Sequence, residues 1–304
     1  MGTVWTADRI PDLSGRVVIV TGGNSGIGLE TARRLARKGA CVILASRDEP
    51  RARAAIRSIR TEIPEAEVGF LPVDLASLRS VRDFAEAFRT RFDCLDILVN
   101  NAGVMVVPYG RTEDGFERQF GTNHLGHFAL TGLLIDRLLG SPASRVVTVT
   151  SAAYRYGRLD FENLMSDGAK GYSAFRAYAR SKLANLLFTQ ELQRRLSGSD
   201  TISVAAHPGG AATDLGRRAT ERRVYRVLLP VFERVSQSAA EAARAVLRAA
   251  TDPNVQGGEL FGPGGRFGMR GAPVVVRPGL AGKGEALARQ LWQVSEDLTG
   301  VRYP

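Results

Sequence analysis

One stretch near the N-terminus decides the fold, and it reads Val17-Val18-Ile19-Val20-Thr21-Gly22-Gly23-Asn24-Ser25-Gly26-Ile27-Gly28. Its apolar start favours a short buried strand, and a stretch with helical character follows at 26–38. Glycines between a strand and a helix let the backbone turn tightly and approach a pyrophosphate, whose charge the free N–H groups of the helix N-terminus attract. The stretch therefore predicts a dinucleotide-binding turn.

The rest of the chain continues this alternation of apolar runs and helical stretches. Strands are predicted at Cys41–Ala45, Val68–Val73, Leu95–Val99, Arg145–Thr150 and Thr201–Ala206, and helices at 49–61, 76–91, 112–139 and about 173–197. Short, continuous apolar strands between helices are typical of a parallel sheet that is buried on both faces. Since no internal repeat or linker divides the chain, we predict one α/β domain over residues 1–304.

The composition excludes several functional classes. The chain is 44% hydrophobic and 24% charged, which is ordinary for a globular protein, and no stretch approaches the roughly 18 uncharged apolar residues of a membrane span. The net charge is +10, but its arginines are scattered without a dense basic run, so nucleic-acid binding is not favoured. Two cysteines cannot build a disulfide framework, and the absence of an apolar signal core also favours a cytoplasmic location.

Further motifs follow the glycine turn in strand order. They are Asp74-Leu75 after the third strand, Asn100-Asn101-Ala102-Gly103 after the fourth, Asn123 in the long helix, Ser151 at the end of the fifth strand, Tyr178-Ala179-Arg180-Ser181-Lys182 in the next helix, and Pro208-Gly209 after the sixth strand. With these motifs nearly the whole chain resembles the short-chain dehydrogenase/reductase family, and the Gly-x3-Gly-x-Gly spacing resembles its compact type. The resemblance implies a doubly wound Rossmann-type domain with a mostly parallel seven-stranded sheet flanked by helices.

Three features resemble the retinol-dehydrogenase-like and protochlorophyllide-reductase-like branch. Ser151 and Tyr178 are 27 residues apart, which is longer than is common in the family, the chain opens with Ile10-Pro11-Asp12-Leu13-Ser14-Gly15, and it closes with Leu291-Trp292. The sequence does not carry the apolar N-terminal anchor of many animal retinol dehydrogenases.

The resemblance implies two groups of site residues. The catalytic group comprises Asn123, Ser151, Tyr178 and Lys182. The cofactor-binding group comprises Gly22, Asn24, Ser25, Gly26, Ile27, Gly28, Ser46, Arg47, Asp74, Leu75, Asn101, Ala102, Gly103, Tyr178, Lys182, Pro208 and Gly209.

The spacing of Tyr178 and Lys182 has a chemical consequence of its own. Residues four apart lie on one helix face, and a nearby ammonium lowers the pKa of a phenol, so Tyr178 is expected to exchange a proton with a substrate oxygen. Ser151 is expected to hold that oxygen by a hydrogen bond. By resemblance, Lys182 also binds the nicotinamide ribose, and Asn123 holds a water molecule in a proton relay.

These residues predict an oxidoreductase that transfers a hydride between NADP(H) and the carbonyl or alcohol group of a lipophilic small molecule. Ser46 stands where an acid would repel a 2′-phosphate, and Arg47 beside it can pair with that phosphate. NAD(H) remains an alternative, because Asp48 follows immediately and Ser25 adds no second cation to the glycine turn. A catalytically silent cofactor-binding regulator and a reductase of conjugated C=C bonds are the alternative functions.

The three histidines and a group of acidic residues have simpler interpretations. His124, His127 and His207 are interpreted as structural, since no third ligand stands at a suitable spacing for a metal site. Four acids of the predicted helix 112–139 are expected to form its solvated face: Glu113, Asp114, Glu117 and Asp136.

Residues 212–236 follow Pro208-Gly209, where the family usually places a mobile lid over its substrate. The first half is basic, and the apolar residues Val224, Val227, Leu228 and Val231 recur at helical spacing. Three interpretations remain open for this segment: a substrate lid, an interface with another subunit or a membrane surface, and ordinary core packing. A C-terminal extension is expected at about 262–304. The oligomeric state is left open, with a homodimer and a homotetramer as the possibilities.

The lid interpretation predicts how substrate size changes the Michaelis constant. Replacing Leu228 and Phe232 by Ala should raise KM for bulky substrates much more than for small ones and leave NADPH affinity nearly intact, because only the apolar cover over the substrate is lost. Steady-state kinetics on a size series of substrates measures this. An equal loss across all sizes, or a changed oligomer mass with unchanged kinetics, would contradict the lid.

Overall fold

The computed structural model describes residues 5–166, 168, 170–209, 237–265, 268–279 and 284–304. The N-terminal half alternates strands and helices without interruption. Its elements are β1 (Val17–Thr21), α1 (Gly26–Ala36), β2 (Cys41–Ser46), α2 (Glu49–Glu62), β3 (Val68–Pro72), α3 (Leu78–Arg89) and β4 (Ile97–Asn100). The predicted segment 212–236 lies outside the described residues, so its three interpretations remain predictions.

The C-terminal half is richer in helix. A short helix α4 (Arg118–Phe120) leads through a π-helical turn (Gly121–Leu125) into α5 (Gly126–Leu133) and α6 (Ile135–Leu139). The remaining elements are β5 (Arg145–Val149), a 3-10 helix (Ala152–Tyr156), α7 (Ala174–Arg195), β6 (Ile202–Ala206), α8 (Ala239–Thr251), β7 (Leu260–Pro263), β8 (Pro273–Val275) and α9 (Gly284–Thr299). No helix of the described ranges is both long and apolar enough to cross a membrane.

The strands form one sheet in the order β3-β2-β1-β4-β5-β6-β7-β8, and all neighbours are parallel except β7 and β8. The order reverses beside β1, which is the switch point where doubly wound folds bind ligands at the carboxyl ends of their strands. The predicted doubly wound, mostly parallel sheet is confirmed. The predicted count of seven strands is one short, because the edge strand β8 has only three residues and returns antiparallel to β7.

Burial on both faces explains the apolar strands. On β1, Val18 and Val20 belong to one apolar cluster, together with Leu35 of α1, whereas Ile19 belongs to a second cluster that contains Phe84 of α3. Successive side chains of a strand alternate between its two faces, so a strand covered on both sides must be apolar throughout. The mostly apolar strand interiors leave the strand ends as the main place for polar chemistry.

The predicted helix 112–139 begins later than expected. Residues 111–117 form a short hairpin instead, with Arg111 and Glu117 bridged in antiparallel fashion, because Gly115 adopts a left-handed φ of 84°. Helix starts at Arg118, and Glu117 is its N-cap, with a carboxylate that accepts hydrogen bonds from the N–H groups of Gln119 and Phe120.

The expectation of a solvated acidic face is consequently wrong for Glu117. Its side chain is fully buried, whereas those of Glu113 and Asp136 are about half exposed and Asp114 is exposed. The hairpin turns Glu117 inward, where helix capping and a hydrogen bond from the Tyr172 hydroxyl at 2.8 Å replace its lost water.

All three histidines are buried, and burial lowers their pKa values. The pKa falls from 6.5 to about 3 for His124 and to about 4 for both His127 and His207. Each imidazole is therefore neutral in the folded chain at neutral pH. Within the described residues, no group of three His, Cys, Asp or Glu side chains is placed to hold a metal ion.

The free energy of unfolding is expected to fall as the pH is lowered through the range in which the unfolded chain protonates its histidines. Because the folded pKa values lie below 6.5, the unfolded state binds more protons once the pH drops under about 6.5, and each buried imidazole then costs about 2 kcal/mol of unfolding free energy by pH 5. Urea unfolding at several pH values between about 7 and 5 measures this fall, above the range in which most carboxylates titrate.

The matched variant for this test is His124→Phe, whose ring would lie among Phe120, Phe128 and Phe188. It should flatten the pH dependence by about one third, since one of three neutral imidazoles is removed. Unfolding free energies that do not change between pH 7 and 5 would contradict the assignment.

Candidate functional site

The glycine turn after β1 has the shape that the sequence predicts. Gly22 and Gly26 adopt left-handed φ angles of 65° and 54°. A Cβ atom added to Gly28 would lie 2.3 Å from the Gly22 carbonyl oxygen, so the close approach of helix and strand requires glycine there. Asn24 and Ile27 are half-buried in the same turn. The result is a tight backbone turn, the glycine cradle, against which the Asn101 side chain packs closely.

The N-terminus of α1 differs from that of α2 in its capping. Ser25 is the N-cap of α1, but its side chain makes no capping hydrogen bond, whereas the Asp48 carboxylate caps α2 by accepting the Arg51 N–H at 3.0 Å. The first N–H groups of α1 thus face the glycine cradle without a side-chain cap from Ser25. This arrangement fits the pyrophosphate of a dinucleotide.

The end of β2 places the residues that face an adenosine ribose in this fold. Ser46 is buried, and its hydroxyl has no hydrogen-bond partner among the described residues. The Arg47 side chain is 60% exposed, with Nη1 4.0 Å from Oδ2 of Asp74. Asp48 is engaged by its helix cap and by Arg51, whose Nε lies 3.3 Å from Asp48 Oδ2. The Asp48 carboxylate, which could repel a 2′-phosphate, is therefore held by a hydrogen bond and an ion pair within the protein.

The loop after β4 is fastened to the end of β1. The amide of Asn101 donates to the Thr21 carbonyl at 2.8 Å, and the backbone N–H groups of Asn101 and Ala102 donate to the Thr21 hydroxyl at 2.8 and 2.9 Å. A Cβ atom on Gly103 would lie 2.9 Å from Oδ1 of Asn123, so the loop passes this side chain at close range. These contacts bring the Asn101–Gly103 motif beside the glycine turn.

The remaining predicted cofactor residues lie at two other strand ends. Oδ1 of Asp74 accepts the Ala76 N–H at 3.0 Å, and Leu75 is buried. After β6, Pro208 accepts a hydrogen bond from Gln237 through its carbonyl, and Gly209 has a left-handed φ of 70°. Apart from Tyr178 and Lys182 on α7, the predicted cofactor residues thus lie at or just beyond the carboxyl ends of the sheet, and they fit a dinucleotide.

Tyr178 and Lys182 lie on α7, which Ser173 caps, and both are buried. The ammonium of Lys182 lies 5.8 Å from the centre of the Tyr178 ring and donates to the Val149 carbonyl at 3.1 Å. A hydrogen bond with Ser151 reaches Tyr178 from the 3-10 helix after β5. The three predicted catalytic side chains therefore meet at the end of β5.

Protonation of Tyr178 differs from the sequence-based expectation. Burial raises the pKa of its phenol above the ordinary 10, and the hydrogen bond with Ser151 opposes this only in part. Burial also lowers the pKa of the Lys182 ammonium from 10.5 to about 8. The expected net lowering of the Tyr178 pKa by Lys182 is wrong for this structure, because both groups have lost water and desolvation outweighs their mutual effect.

Asn123 lies in the π-helical turn and is held on both sides. Its Oδ1 accepts the Val104 N–H at 2.8 Å, while its Nδ2 donates to the Val104 carbonyl at 3.0 Å and to the Ser181 hydroxyl at 2.9 Å. Its side chain thus joins the loop after β4 to α7. The role of Asn123 in a water relay remains a prediction.

Sequence reasoning did not find a buried polar cluster behind this site. Arg180 Nη2 lies 3.8 Å from Glu117 Oε2, and the Gln119 amide donates to the Tyr172 hydroxyl at 2.8 Å. Arg180 also donates to the Ser166 hydroxyl at 2.7 Å, so the cluster anchors the long segment between Ser151 and Tyr178. The available signal was Arg180 itself, a cation on the helix between the two predicted catalytic residues Tyr178 and Lys182.

Comparisons with known proteins agree with this geometry. The family model described as short chain dehydrogenase matches residues 16–224. Retinol dehydrogenase 14 of Mus musculus is 41% identical over 305 residues, covering 95% of this chain and 87% of that protein. Polyprenol dehydrogenase of Mus musculus is 44% identical over 303 residues, covering 96% of this chain and 86% of that protein.

Two solved structures extend the comparison. An uncharacterized protein from Mycobacterium paratuberculosis is 44% identical with a TM-score of 0.82, covering 99% of this chain and 100% of that one. A short chain dehydrogenase from Escherichia coli CFT073, complexed with NADPH, is 25% identical with a TM-score of 0.64, covering 82% of this chain and 97% of that one. The fold, the ordered motifs and these relatives lead to one conclusion: the chain belongs to the short-chain dehydrogenase/reductase family, in its retinol-dehydrogenase-like branch, and is an oxidoreductase of alcohol or carbonyl groups.

Proposed function

We propose that the protein transfers a hydride between NADP(H) and the carbonyl or alcohol group of a lipophilic small molecule, with Tyr178 as the acid/base. The observation that carries the proposal is the meeting of Tyr178, Ser151 and Lys182 at one buried strand end, beside the loop that holds the predicted cofactor residues. Because the chain retains all three side chains, an active enzyme is favoured over a catalytically silent cofactor-binding regulator.

The nicotinamide, when bound, supplies the hydride donor or acceptor, and its oxidised form adds a positive charge that favours the Tyr178 phenolate. The Tyr178 hydroxyl passes a proton to the substrate oxygen in reduction, and the Tyr178 phenolate accepts a proton from the substrate alcohol in oxidation. Burial raises the pKa of the phenol further above neutral pH, and a protonated phenol suits the proton-donating direction. Ser151 orients the substrate oxygen through its hydroxyl, and Lys182 stabilises negative charge on Tyr178.

A preference for NADP(H) is supported by the end of β2. The exposed Arg47 can pair with a 2′-phosphate, and Ser46 offers a buried, unpartnered hydroxyl beside it. Asp48 is held by the start of α2 and by Arg51, which removes the principal objection that the sequence raised. The Escherichia coli relative complexed with NADPH adds further support.

A lipophilic substrate is supported by two observations. The relatives are named for retinol and polyprenol, both of which are lipophilic alcohols. In addition, an exposed aromatic pair lies on the two segments that carry the catalytic residues: Tyr156, 70% exposed, and Phe175, 43% exposed, have ring centres 5.9 Å apart. Aromatic rings open to solvent beside a site suit an apolar ligand.

Tyr178→Phe should lower kcat by at least about a hundredfold with little change in NADPH affinity, because the variant keeps the ring and loses only the proton donor. Turnover is followed by the absorbance of the reduced cofactor with a panel of ketones, aldehydes and enones. The matched control is Tyr303→Phe, which removes a tyrosine hydroxyl that donates to the Phe128 carbonyl away from the catalytic residues. Near-normal turnover of Tyr178→Phe on any accepted substrate would overturn the assignment, and turnover of enones alone would favour the C=C reductase.

Arg47→Ala should weaken NADPH binding by about tenfold or more and leave NADH binding nearly unchanged, since a charge-assisted contact with a phosphate contributes roughly 1.5–3 kcal/mol. Titration of both cofactors into the wild type and the variant measures the difference. Arg53→Ala is the matched control, because that arginine is equally exposed but pairs with Glu49. Tighter binding of NADH than of NADPH by the wild type would contradict the preference.

A further inference from the structure

His127 on α5 contacts two halves of the site: Asn123 on one side, and on the other Thr21, which holds the predicted cofactor loop. The proposed mechanism does not use this histidine. Its ring is 1% exposed. Nδ1 lies 2.9 Å from the backbone carbonyl oxygen of Asn123, and Nε2 lies 2.9 Å from the hydroxyl oxygen of Thr21. One imidazole thus joins the helix that carries Asn123 to the end of β1.

The chemistry of the two partners determines which nitrogen carries the proton. A carbonyl oxygen can only accept, so Nδ1–H of His127 must be the donor to Asn123. The ring is neutral, since burial, together with a smaller contribution from the charge of Lys182, lowers its pKa to about 4. Nε2 is therefore the acceptor, and the Thr21 hydroxyl donates its proton to it.

The Thr21 hydroxyl in turn holds the loop after β4. With its proton directed at His127, the oxygen accepts the backbone N–H groups of Asn101 and Ala102 at 2.8 and 2.9 Å. The competing acceptor for that proton is the Val99 carbonyl at 3.2 Å, a longer contact than the one to the ring. His127 thereby orients the hydroxyl that fastens two residues of the predicted cofactor loop.

On the other side, the π-helical turn brings Asn123 within reach of the ring. In this turn the Gly126 N–H donates to the Gly121 carbonyl, five residues back, instead of four as in an α-helix. The Asn123 carbonyl accepts the Nδ1–H of His127, while the Asn123 side chain holds Val104 and Ser181. The position of Asn123 therefore depends on a side chain one turn further along the helix.

We propose that His127 is a positioning residue that serves the two halves of the site through its two nitrogens: Nδ1–H positions Asn123 for proton transfer, and Nε2 positions the cofactor loop through Thr21. The contact of Nδ1–H with Asn123 is the first arm of the proposal, and it rests on the proposed function. The contact of Nε2 with Thr21 is the second, or cofactor, arm, and it is measured by NADPH binding alone.

Two amide variants separate the arms, because an Asn amide ends where Nδ1 lies and a Gln amide ends where Nε2 lies. His127→Asn keeps a donor for Asn123 and loses the partner of Thr21, so the Kd for NADPH should rise about tenfold while kcat stays within about threefold. His127→Gln keeps an acceptor for Thr21 and loses the donor to Asn123, so kcat should fall about tenfold with Kd within about twofold. Fluorescence titration with NADPH and steady-state kinetics provide the two values.

Thr21→Val gives an independent test of the cofactor arm. It removes the hydroxyl at nearly constant volume and should raise the Kd for NADPH as His127→Asn does. The double variant His127→Asn/Thr21→Val should be no weaker in NADPH binding than Thr21→Val alone, because both changes remove the same contact. Additive losses would overturn this arm.

His124→Phe is the matched control for stability. His124 is a buried imidazole on the preceding helical turn, and its Nε2 bonds to the Ser295 hydroxyl on α9. Its loss should lower Tm but leave Kd and kcat unchanged. If NADPH affinity and kcat fall equally in both amide variants of His127, or if only Tm falls, the role of His127 is merely structural. If the wild type turns over no substrate, the proposed function fails, while the opposed Kd values of the two variants still decide the cofactor arm.

Discussion

The parallel sheet is covered on both faces, and this constraint governs the rest of the structure. Strand residues such as Val18 and Ile19 are buried in apolar clusters on opposite faces, so they offer no polar chemistry. The strand ends are therefore the main place for polar chemistry, and parallel strands place all their carboxyl ends at one edge. The glycine turn, the loop at Asn101–Gly103, Ser151 and Pro208-Gly209 come from four strands and still converge for this reason.

Because the site is buried, the protein itself supplies the hydrogen-bond partners of many of its polar groups. The ammonium of Lys182 bonds to the Val149 carbonyl, the amide of Asn123 bonds to Val104 and Ser181, and the carboxylate of Glu117 caps a helix. Unpaired burial would cost several kcal/mol for such groups, so these contacts hold the site in one geometry. Burial also keeps Tyr178 protonated and His127 neutral.

Local signals in the sequence were sufficient for much of the site. The glycines of the first turn, the spacing of Tyr178 and Lys182, and the order of the motifs along the strands are local patterns, and each predicted the observed element. Errors arose at short segments whose structure departs from the periodic pattern around them. Helical periodicity over 112–139 gave no warning of the hairpin at 111–117, and the three-residue strand β8 is too short to have a periodicity of its own.

The sequence by itself determined the fold class and the glycine turn, and it predicted the catalytic residues, because these depend on residue type and spacing along the chain. Only the tertiary structure decided the state of those residues. Glu117 is buried because Tyr172 and Arg180 arrive from another segment, and the pKa of Tyr178 rises because packing removes its water. His127 likewise acquires its Thr21 partner only through the contact of α5 with the end of β1, whereas Asn123 lies four residues earlier on its own helical segment. Burial and hydrogen bonding between distant segments are properties of the packed chain, and no local pattern encodes them.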